Sequence, residues 1–244
     1  MFKSWMISAV YYVGILACIN AVISDVSLAW VPVALLVHLV GVLHQSVGMH
    51  RLFTHRSFQA PKLIHRLLTV MSVPVGLGSP IQWAFLHHVH HANVGTNLDP
   101  HKSSGKWSAL FYRQYADIRH IRPPMSVARL AKDPVHLFVH SNYTVLLLLS
   151  WVFMYAVVQD FFLYAFLPGI AITHFVACLL DAFTHEQNGA GKNLEFAEFF
   201  APASGEWYHK DHHANPSNCK FGRLDYGYFL VCFFTWLHAR FSKA

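Results

Sequence analysis

Residues 5–24 read WMISAVYYVGILACINAVIS, a stretch of 20 residues without a charged side chain. A helix of this length is about 30 Å long, which is the thickness of the hydrocarbon core of a bilayer. Lys3 is the only charge before it, and no small-residue cleavage pattern follows it. We therefore interpret the stretch as a retained membrane span rather than a secretory signal peptide.

Other stretches of the chain are also apolar, but they differ in length and continuity. The run 67–86 is interrupted by two prolines and two glycines, so we interpret it as surface or re-entrant structure. The run 226–239 is short and aromatic, which is typical of an interfacial helix. The sequence therefore predicts an all-α membrane protein with a single domain over residues 1–244 and four spans, at about 5–24, 28–49, 143–158 and 161–180.

The composition agrees with this fold class. Of the 244 residues, 55% are hydrophobic and only 12% are charged, against roughly 25% in an ordinary soluble domain. An aromatic content of 15% excludes a disordered chain. The net charge of +6 is attributed to topology and lipid headgroups, and no nucleic-acid partner is expected.

The basic residues indicate an orientation in the membrane. With four spans, all 18 lysines and arginines fall on one side, in segments 1–4, 50–142 and 181–244. The two short loops on the other side carry only Asp25 and Asp160 as charges. Since basic loops stay inside, we expect both termini and any site formed by these segments to be cytoplasmic.

Histidine is the most unusual residue of this chain, with 19 copies. They cluster in His50-Arg-Leu-Phe-Thr-His55, His87-His-Val-His-His91 and His209-Lys-Asp-His-His213, and Asp181-Ala-Phe-Thr-His185 ends the last span. In the two His-x-x-His-His clusters, at 87–91 and 209–213, residues i, i+3 and i+4 share a helical face, so three imidazoles can converge on metal. A lone histidine is usually a hydrogen-bonded core residue, but three such clusters on one side of the membrane argue against that.

Nine imidazoles are too many for one ion, because a closed zinc site takes four ligands. We expect two ions with four or five ligands each; imidazole suits iron, zinc, copper or nickel, and the spacing does not select among them. The candidate ligands are His50, His55, His87, His90, His91, His185, His209, His212 and His213, with Asp181 as a further candidate, directly or through a water.

The chain resembles the membrane fatty acid desaturases, including stearoyl-CoA desaturase and the bacterial acyl-lipid enzymes. The resemblance covers about residues 30–240 and rests on 48-GMHRLFTHRSF-58, 83-WAFLHHVHH-91, 99-DPH-101 and 205-GEWYHKDHH-213. It implies a cytoplasmic helical cap, a histidine-ligated di-iron centre, O2 as oxidant and a cis double bond in an acyl chain, with the Δ9 position as the default expectation. It also matches Trp83 to a position that shapes the substrate tunnel; the alternative for this tryptophan is an anchor at the membrane interface.

Three positions depart from the family pattern. Asp181 stands where an asparagine is usual, His88 stands where an arginine is usual, and Phe85-Leu86 replaces the Arg-Asp of many acyl-CoA enzymes. The last change weakens the case for a CoA-linked substrate and leaves a lipid-linked or carrier-protein-linked acyl chain open.

Some polar residues are candidates for orienting the ligands, as hydrogen-bond partners of metal-bound imidazoles commonly do. These candidates are Asp99, His101, Glu206 and His174. An interhelical hydrogen bond is the alternative for His174, which lies inside the fourth span.

Removing hydrogen from an unactivated methylene needs an oxidant and two electrons from outside. The sequence shows no flavin fingerprint, haem motif or cysteine cluster, so a separate ferredoxin or cytochrome b5-like donor is expected. Because zinc outcompetes ferrous iron at imidazole sites, overexpressed protein is expected to carry zinc. The alternatives are a di-iron hydroxylase or oxygenase and, from another class, a non-enzymatic metal transporter or receptor.

Overall fold

The computed structural model describes residues 5–101, 120–185 and 191–241. Four of its helices are long and apolar enough to cross a membrane. In order along the chain, the helices of the described residues are α1 (Trp5–Ile23), α2 (Trp30–His55), α3 (Lys62–Val75), α4 (Pro80–Asn93), α5 (Met125–Leu130), α6 (Pro134–Val157), α7 (Gln159–Phe183), α8 (Ala197–Phe200), α9 (His209–Ala214) and α10 (Tyr228–Phe241). The predicted fold class, an all-α protein with four potential spans, is confirmed.

The spans α1, α2, α6 and α7 differ from the predicted ones mainly in length, because α6 begins earlier and α2 ends later than predicted. Helix α6 begins at Pro134, because the side chain of Asp133 caps it by accepting a hydrogen bond from the amide of Val135 at 2.9 Å. Helix α2 continues past Met49 to His55, with π-helical winding from His44 onward. The second span therefore continues into the histidine stretch that follows its apolar core.

The run 67–86 forms two short helices rather than a span. Helix α3 ends at Val75, and Gly76 after it has a φ of +75°. Ser79 caps α4 by accepting from the amide of Gln82. The hydroxyl of Tyr143 on α6 holds this turn, since it donates to the carbonyl of Ser72 at 2.8 Å and accepts from the amide of Gly78 at 3.1 Å. The predicted break in this run is confirmed.

Helix α7 is the centre of the bundle, and α1 and α2 pack against it. Small residues allow close approach, as in many membrane helix pairs. A Cβ added to Gly169 would lie 2.6 Å from the carbonyl oxygen of Ala34, and one added to Gly14 would lie 2.7 Å from Cβ of Ala171. Helix α3 packs on α6, and α4 packs on the π-helical end of α2. This arrangement brings the ends of α2 and α7 together with α4.

Candidate metal centre

The nine candidate histidines lie together at one end of the bundle, in two adjacent groups. The first group consists of His50, His55, His87, His91 and His212, and the second consists of His90, His185, His209 and His213. Within each group, one ligand atom from every residue lies within 4.8 Å of all the others. The groups adjoin, because the rings of His91 and His213 stack with centroids 4.3 Å apart.

Helical winding explains how α2 contributes two ligand candidates to one group. Residues five apart lie about 140° apart around an α-helix, so His50 and His55 would diverge. In a π-helix the hydrogen bonds run from i to i+5, which brings such residues close to the same face. The segment His44–His55 has this winding, and the two rings lie 4.9 Å apart.

Each of the helices α4 and α9 supplies both groups. His87 and His91, four residues apart, belong to the first group, whereas His90 belongs to the second. On α9 the pattern is reversed, with His209 and His213 in the second group and His212 in the first. The three imidazoles of a cluster therefore converge on two positions rather than one, which the spacing alone does not reveal.

The contacts between the rings fit metal ligation better than hydrogen bonding. Nε2 of His212 lies 3.0 Å from Nε2 of His50 and 3.0 Å from Nε2 of His91. Nε2 of His209 lies 3.0 Å from Nε2 of both His185 and His213. A neutral imidazole has a single N–H, so hydrogen bonds alone leave lone pairs facing one another here.

The spacings also agree with a bound ion. Metal–imidazole bonds are about 2.0–2.1 Å long, so neighbouring ligand nitrogens of one ion lie about 3.0–3.4 Å apart. His185 and His213, at 3.4 Å between their Nε2 atoms, complete this pattern in the second group. Nε2 of His55 is buried and has no hydrogen-bond partner, as expected of a ligand atom.

Burial keeps these imidazoles neutral, which is the form that binds metal. It lowers the pKa of His91 to about 2, that of His213 to about 3 and that of His185 to about 4, and neighbouring imidazoles add to the effect on each of them. For His87, His209 and His212 the same two causes hold the pKa well below its usual value. At neutral pH the lone pairs are therefore available.

Carboxylates orient one imidazole in each group. Nδ1 of His50 lies 2.7 Å from Oε2 of Glu206, and Nδ1 of His90 lies 2.8 Å from Oδ1 of Asp99. A proton on each Nδ1 leaves Nε2 free to bind metal. Burial raises the pKa of Glu206 to about 8, while the nearby Arg51 opposes that rise, and a divalent cation beside the pair would favour the ionised carboxylate.

Two other candidates from the sequence, Asp181 and His174, belong to neither histidine group. Asp181 belongs to neither group, and its Oδ2 lies 3.3 Å from Nδ1 of His101. Nε2 of His174 lies 3.3 Å from the carbonyl oxygen of Val75, so this residue makes an interhelical contact. Their roles toward the metal centre stay predictions.

Trp83 and His88 are the remaining positions that the sequence analysis singled out. Trp83 is partly buried between the two large apolar clusters of the bundle, and its Nε1 has no hydrogen-bond partner among the described residues. His88 belongs to neither group: its ring lies 6.0 Å from that of His55, and its Nε2 lies 2.9 Å from the hydroxyl of Ser126. A tunnel role for Trp83 stays a prediction.

A buried polar network behind the first group was missed from the sequence. Arg51 is fully buried and forms an ion pair with Asp225 at 3.0 Å, and it donates to the carbonyl of Ser204 at 2.6 Å. It also donates to Ser46, whose hydroxyl donates to Oε1 of Glu206 at 2.5 Å. The signal was the arginine inside the motif of residues 50–55, an unusual residue for a buried helix face.

Comparison with known proteins identifies the family. The chain is 30% identical over 208 residues to the sn-1 stearoyl-lipid 9-desaturase of Anabaena variabilis, covering 82% of this chain and 76% of that protein. The chain belongs to the membrane fatty acyl desaturases. It is also 27% identical to Delta-9 acyl-lipid desaturase 1 of Arabidopsis thaliana over 218 residues, covering 82% of the chain and 70% of that protein.

A third relative agrees. The desaturase is 26% identical over 220 residues to the sn-2 palmitoyl-lipid 9-desaturase of Nostoc sp. (strain 36), with 83% of the chain and 76% of that protein covered. No protein-family model matches the chain. These relatives, the spans and the histidine groups make the protein a metal-using oxidoreductase of the membrane, and they do not favour the hydroxylase alternative.

Proposed function

We propose that the two histidine groups bind two iron ions and that the enzyme uses O2 to introduce a cis double bond at the Δ9 position of an acyl chain in a membrane lipid. The observation that carries this proposal is the division of nine neutral, converging imidazoles into two adjacent groups in a chain of the desaturase family. Asp181 is proposed to act through a water or through His101 rather than as a direct ligand, because it belongs to neither group.

The iron pair would supply the oxidising power to remove hydrogen from an unactivated methylene, which acid–base groups cannot do. The overall reaction takes two hydrogens from a CH2–CH2 unit, two electrons, two protons and O2, and it yields CH=CH and two waters. The chain's own contribution is positioning. Glu206 and Asp99 fix the orientation of His50 and His90, and Phe221, whose ring lies 5.1 Å from that of His212, shields the first group from water.

A lipid-linked acyl chain is the substrate best supported. The relatives named above are acyl-lipid desaturases, and Phe85-Leu86 replaces the Arg-Asp that many acyl-CoA enzymes carry. We propose that Trp83 lines the path of this chain, since it lies between the apolar clusters of the bundle and one helical turn before His87 on α4.

The two electrons are proposed to come from a separate ferredoxin or cytochrome b5-like donor. The metal centre and both termini are proposed to be cytoplasmic, because all 18 lysines and arginines lie on that side of the four spans. A donor with an acidic surface would be attracted to this basic side of the protein.

Expression in a host that lacks its own desaturase tests the proposal. Lipid profiling should reveal acyl chains two mass units lighter, with the double bond at carbon 9 and on intact membrane lipids, and a His90→Ala variant should yield none. Chains that gain oxygen instead, or products confined to free acyl-CoA, would contradict the proposed reaction or substrate. Zinc-loaded protein is expected to be inactive until zinc is replaced by ferrous iron under anaerobic conditions.

A further inference from the structure

The loop between α7 and α9 carries three phenylalanines whose side chains are largely exposed. The exposed fractions are 80% for Phe196, 67% for Phe199 and 87% for Phe200, on and beside the single turn α8. A cluster of large apolar side chains at such exposure is unusual on a surface that faces water. These side chains therefore form an exposed apolar patch on the described surface.

The opposite side of the same loop packs against the membrane span α7. Val176 and Leu180 of α7 form an apolar cluster with Ala203 and Trp207, and the residues packed against this cluster include Ile172, Leu194, Ala197 and Ala201. Val176 precedes the end of α7 at Phe183 by seven residues, which is about 10 Å along the helix axis. The loop therefore descends beside α7 to a depth that lies within the span.

Several backbone amides of the loop have partners within it, which lowers the cost of placing a segment in hydrocarbon. Those of Ala197 and Phe199, on α8, donate to the carbonyls of Leu194 and Phe196 at 2.9 and 3.3 Å. The carboxylate of Glu198 is buried and accepts from the amides of Ala203, Ser204 and Gly205 at 2.8, 2.7 and 3.1 Å. The indole of Trp207 donates to the carbonyl of Ala201 at 2.7 Å, and the amide of Leu194 donates to the carbonyl of Trp207 at 2.9 Å.

The charged residues of the loop lie before the phenylalanines rather than among them. Lys192 and Glu195, which precede the phenylalanines, are exposed. Residues 196–201 include a single charged residue, Glu198, and its side chain is buried. On α7 itself Phe175 is exposed at 39% next to the buried Val176, so an apolar outer surface continues from the span. Polar residues at the headgroup level and phenylalanines below it are the pattern of a membrane-inserted turn.

We infer that residues 196–200 are inserted into the bilayer and that Phe196, Phe199 and Phe200 contact the acyl chains of membrane lipids. The partner is thus the hydrocarbon of the leaflet on the metal-centre side. This inference rests on the membrane location of the protein and does not depend on the metal or substrate proposed above. Glu206 belongs to the same loop, which places a lipid contact within ten residues of a carboxylate that touches His50.

Photo-crosslinking of the full chain in bilayers tests the inference. Phe200 is replaced by p-benzoyl-phenylalanine, whose excited ketone inserts into nearby C–H bonds, in bilayers of palmitoyl-oleoyl phosphatidylcholine. The matched control carries the same residue at position 210, because Lys210 is exposed on α9. Mass spectrometry of the irradiated protein should show phospholipid adducts at position 200 in several-fold higher yield than at position 210.

Two results would overturn the inference. One is a lipid adduct yield at position 200 no higher than at position 210, and the other is a dominant adduct to a second copy of the chain, which would make the surface a protein interface. If the variant at position 200 does not insert, the same replacement at Phe196 gives the same test. Neither result depends on activity, so failure here leaves the proposed reaction untouched.

Discussion

Nδ1 of His50 lies 2.7 Å from a carboxylate oxygen of Glu206, so the end of the second span and the loop before α9 meet behind the first histidine group. A carboxylate in this position fixes the ring and makes Nε2 more basic, and such partners commonly contribute 10–100-fold to metal affinity, as a rough range.

Replacing Glu206→Gln should therefore weaken metal binding by the first group by about 10–100-fold. Elemental analysis after dialysis against graded chelator measures the effect, and the variant should lose about one ion of two at concentrations that leave the parent loaded. Glu195→Gln, an exposed glutamate of the same loop, is the matched control and should behave like the parent. Equal retention by Glu206→Gln and the parent would remove the role of this contact.

His212→Ala and His90→Ala each remove one ligand candidate, from the first and the second group respectively. Each variant should bind one ion or fewer and should have no desaturase activity, because the proposed reaction uses both ions. The measurement is metal content together with product formation in the same preparation. His88→Ala removes a neighbouring imidazole that bonds Ser126, and it should keep both ions and most of the activity.

A variant of His90 or His212 that keeps two ions would show that the imidazole in question is not a ligand. If His88→Ala loses metal to the same extent, the losses in the other two variants would reflect general damage to the fold rather than removal of a ligand.

The spans were largely predictable, because a long apolar stretch indicates a membrane-spanning helix and polar residues, proline or glycine indicate where it is interrupted. Proline and glycine at positions 74–80 correctly indicated a break, which the structure resolves into α3 and α4. The start of α6 at Pro134 was not predicted, because His136, His140 and the polar pair 141–142 interrupt the apolar residues of its first turns. The cap by Asp133 marks the start of the helix.

The sequence identified the nine histidines of the site, but it did not show which of them belong to which group. Histidine spacing identified the nine residues that converge, but the sharing of α4 and α9 between two groups depends on how these helices cross. The π-helical winding that aligns His50 with His55 has no simple sequence signal. The ion pair between Arg51 and Asp225 joins distant stretches of the chain, so no local pattern could reveal it.

Asp225→Asn should strongly destabilise the protein. Arg51 and Asp225 have no exposed side-chain surface, so removal of the acidic partner leaves a buried charge uncompensated. Breaking a buried pair in this way costs about 3–5 kcal/mol. Thermal unfolding in detergent measures the loss, and Arg66→Gln is the control, because Arg66 is 38% exposed and its pair with Asp133 should be worth less than about 1 kcal/mol. Similar melting temperatures for the two variants would contradict this account.

Gly169→Ala should loosen the contact between α2 and α7. The added Cβ would lie 2.6 Å from the backbone oxygen of Ala34 and 2.7 Å from Cβ of Val37, and neither atom can move without shifting α2. Overpacking of this kind costs about 1–3 kcal/mol, and the shift would also disturb the metal centre at the end of α2. Gly48→Ala is the matched control on α2, because the atoms nearest its added Cβ lie 3.7 Å away, which is ordinary contact. The two variants should separate clearly in melting temperature and in metal retention; if Gly169→Ala matches Gly48→Ala in both, close packing at this glycine is not what holds the second span against the fourth.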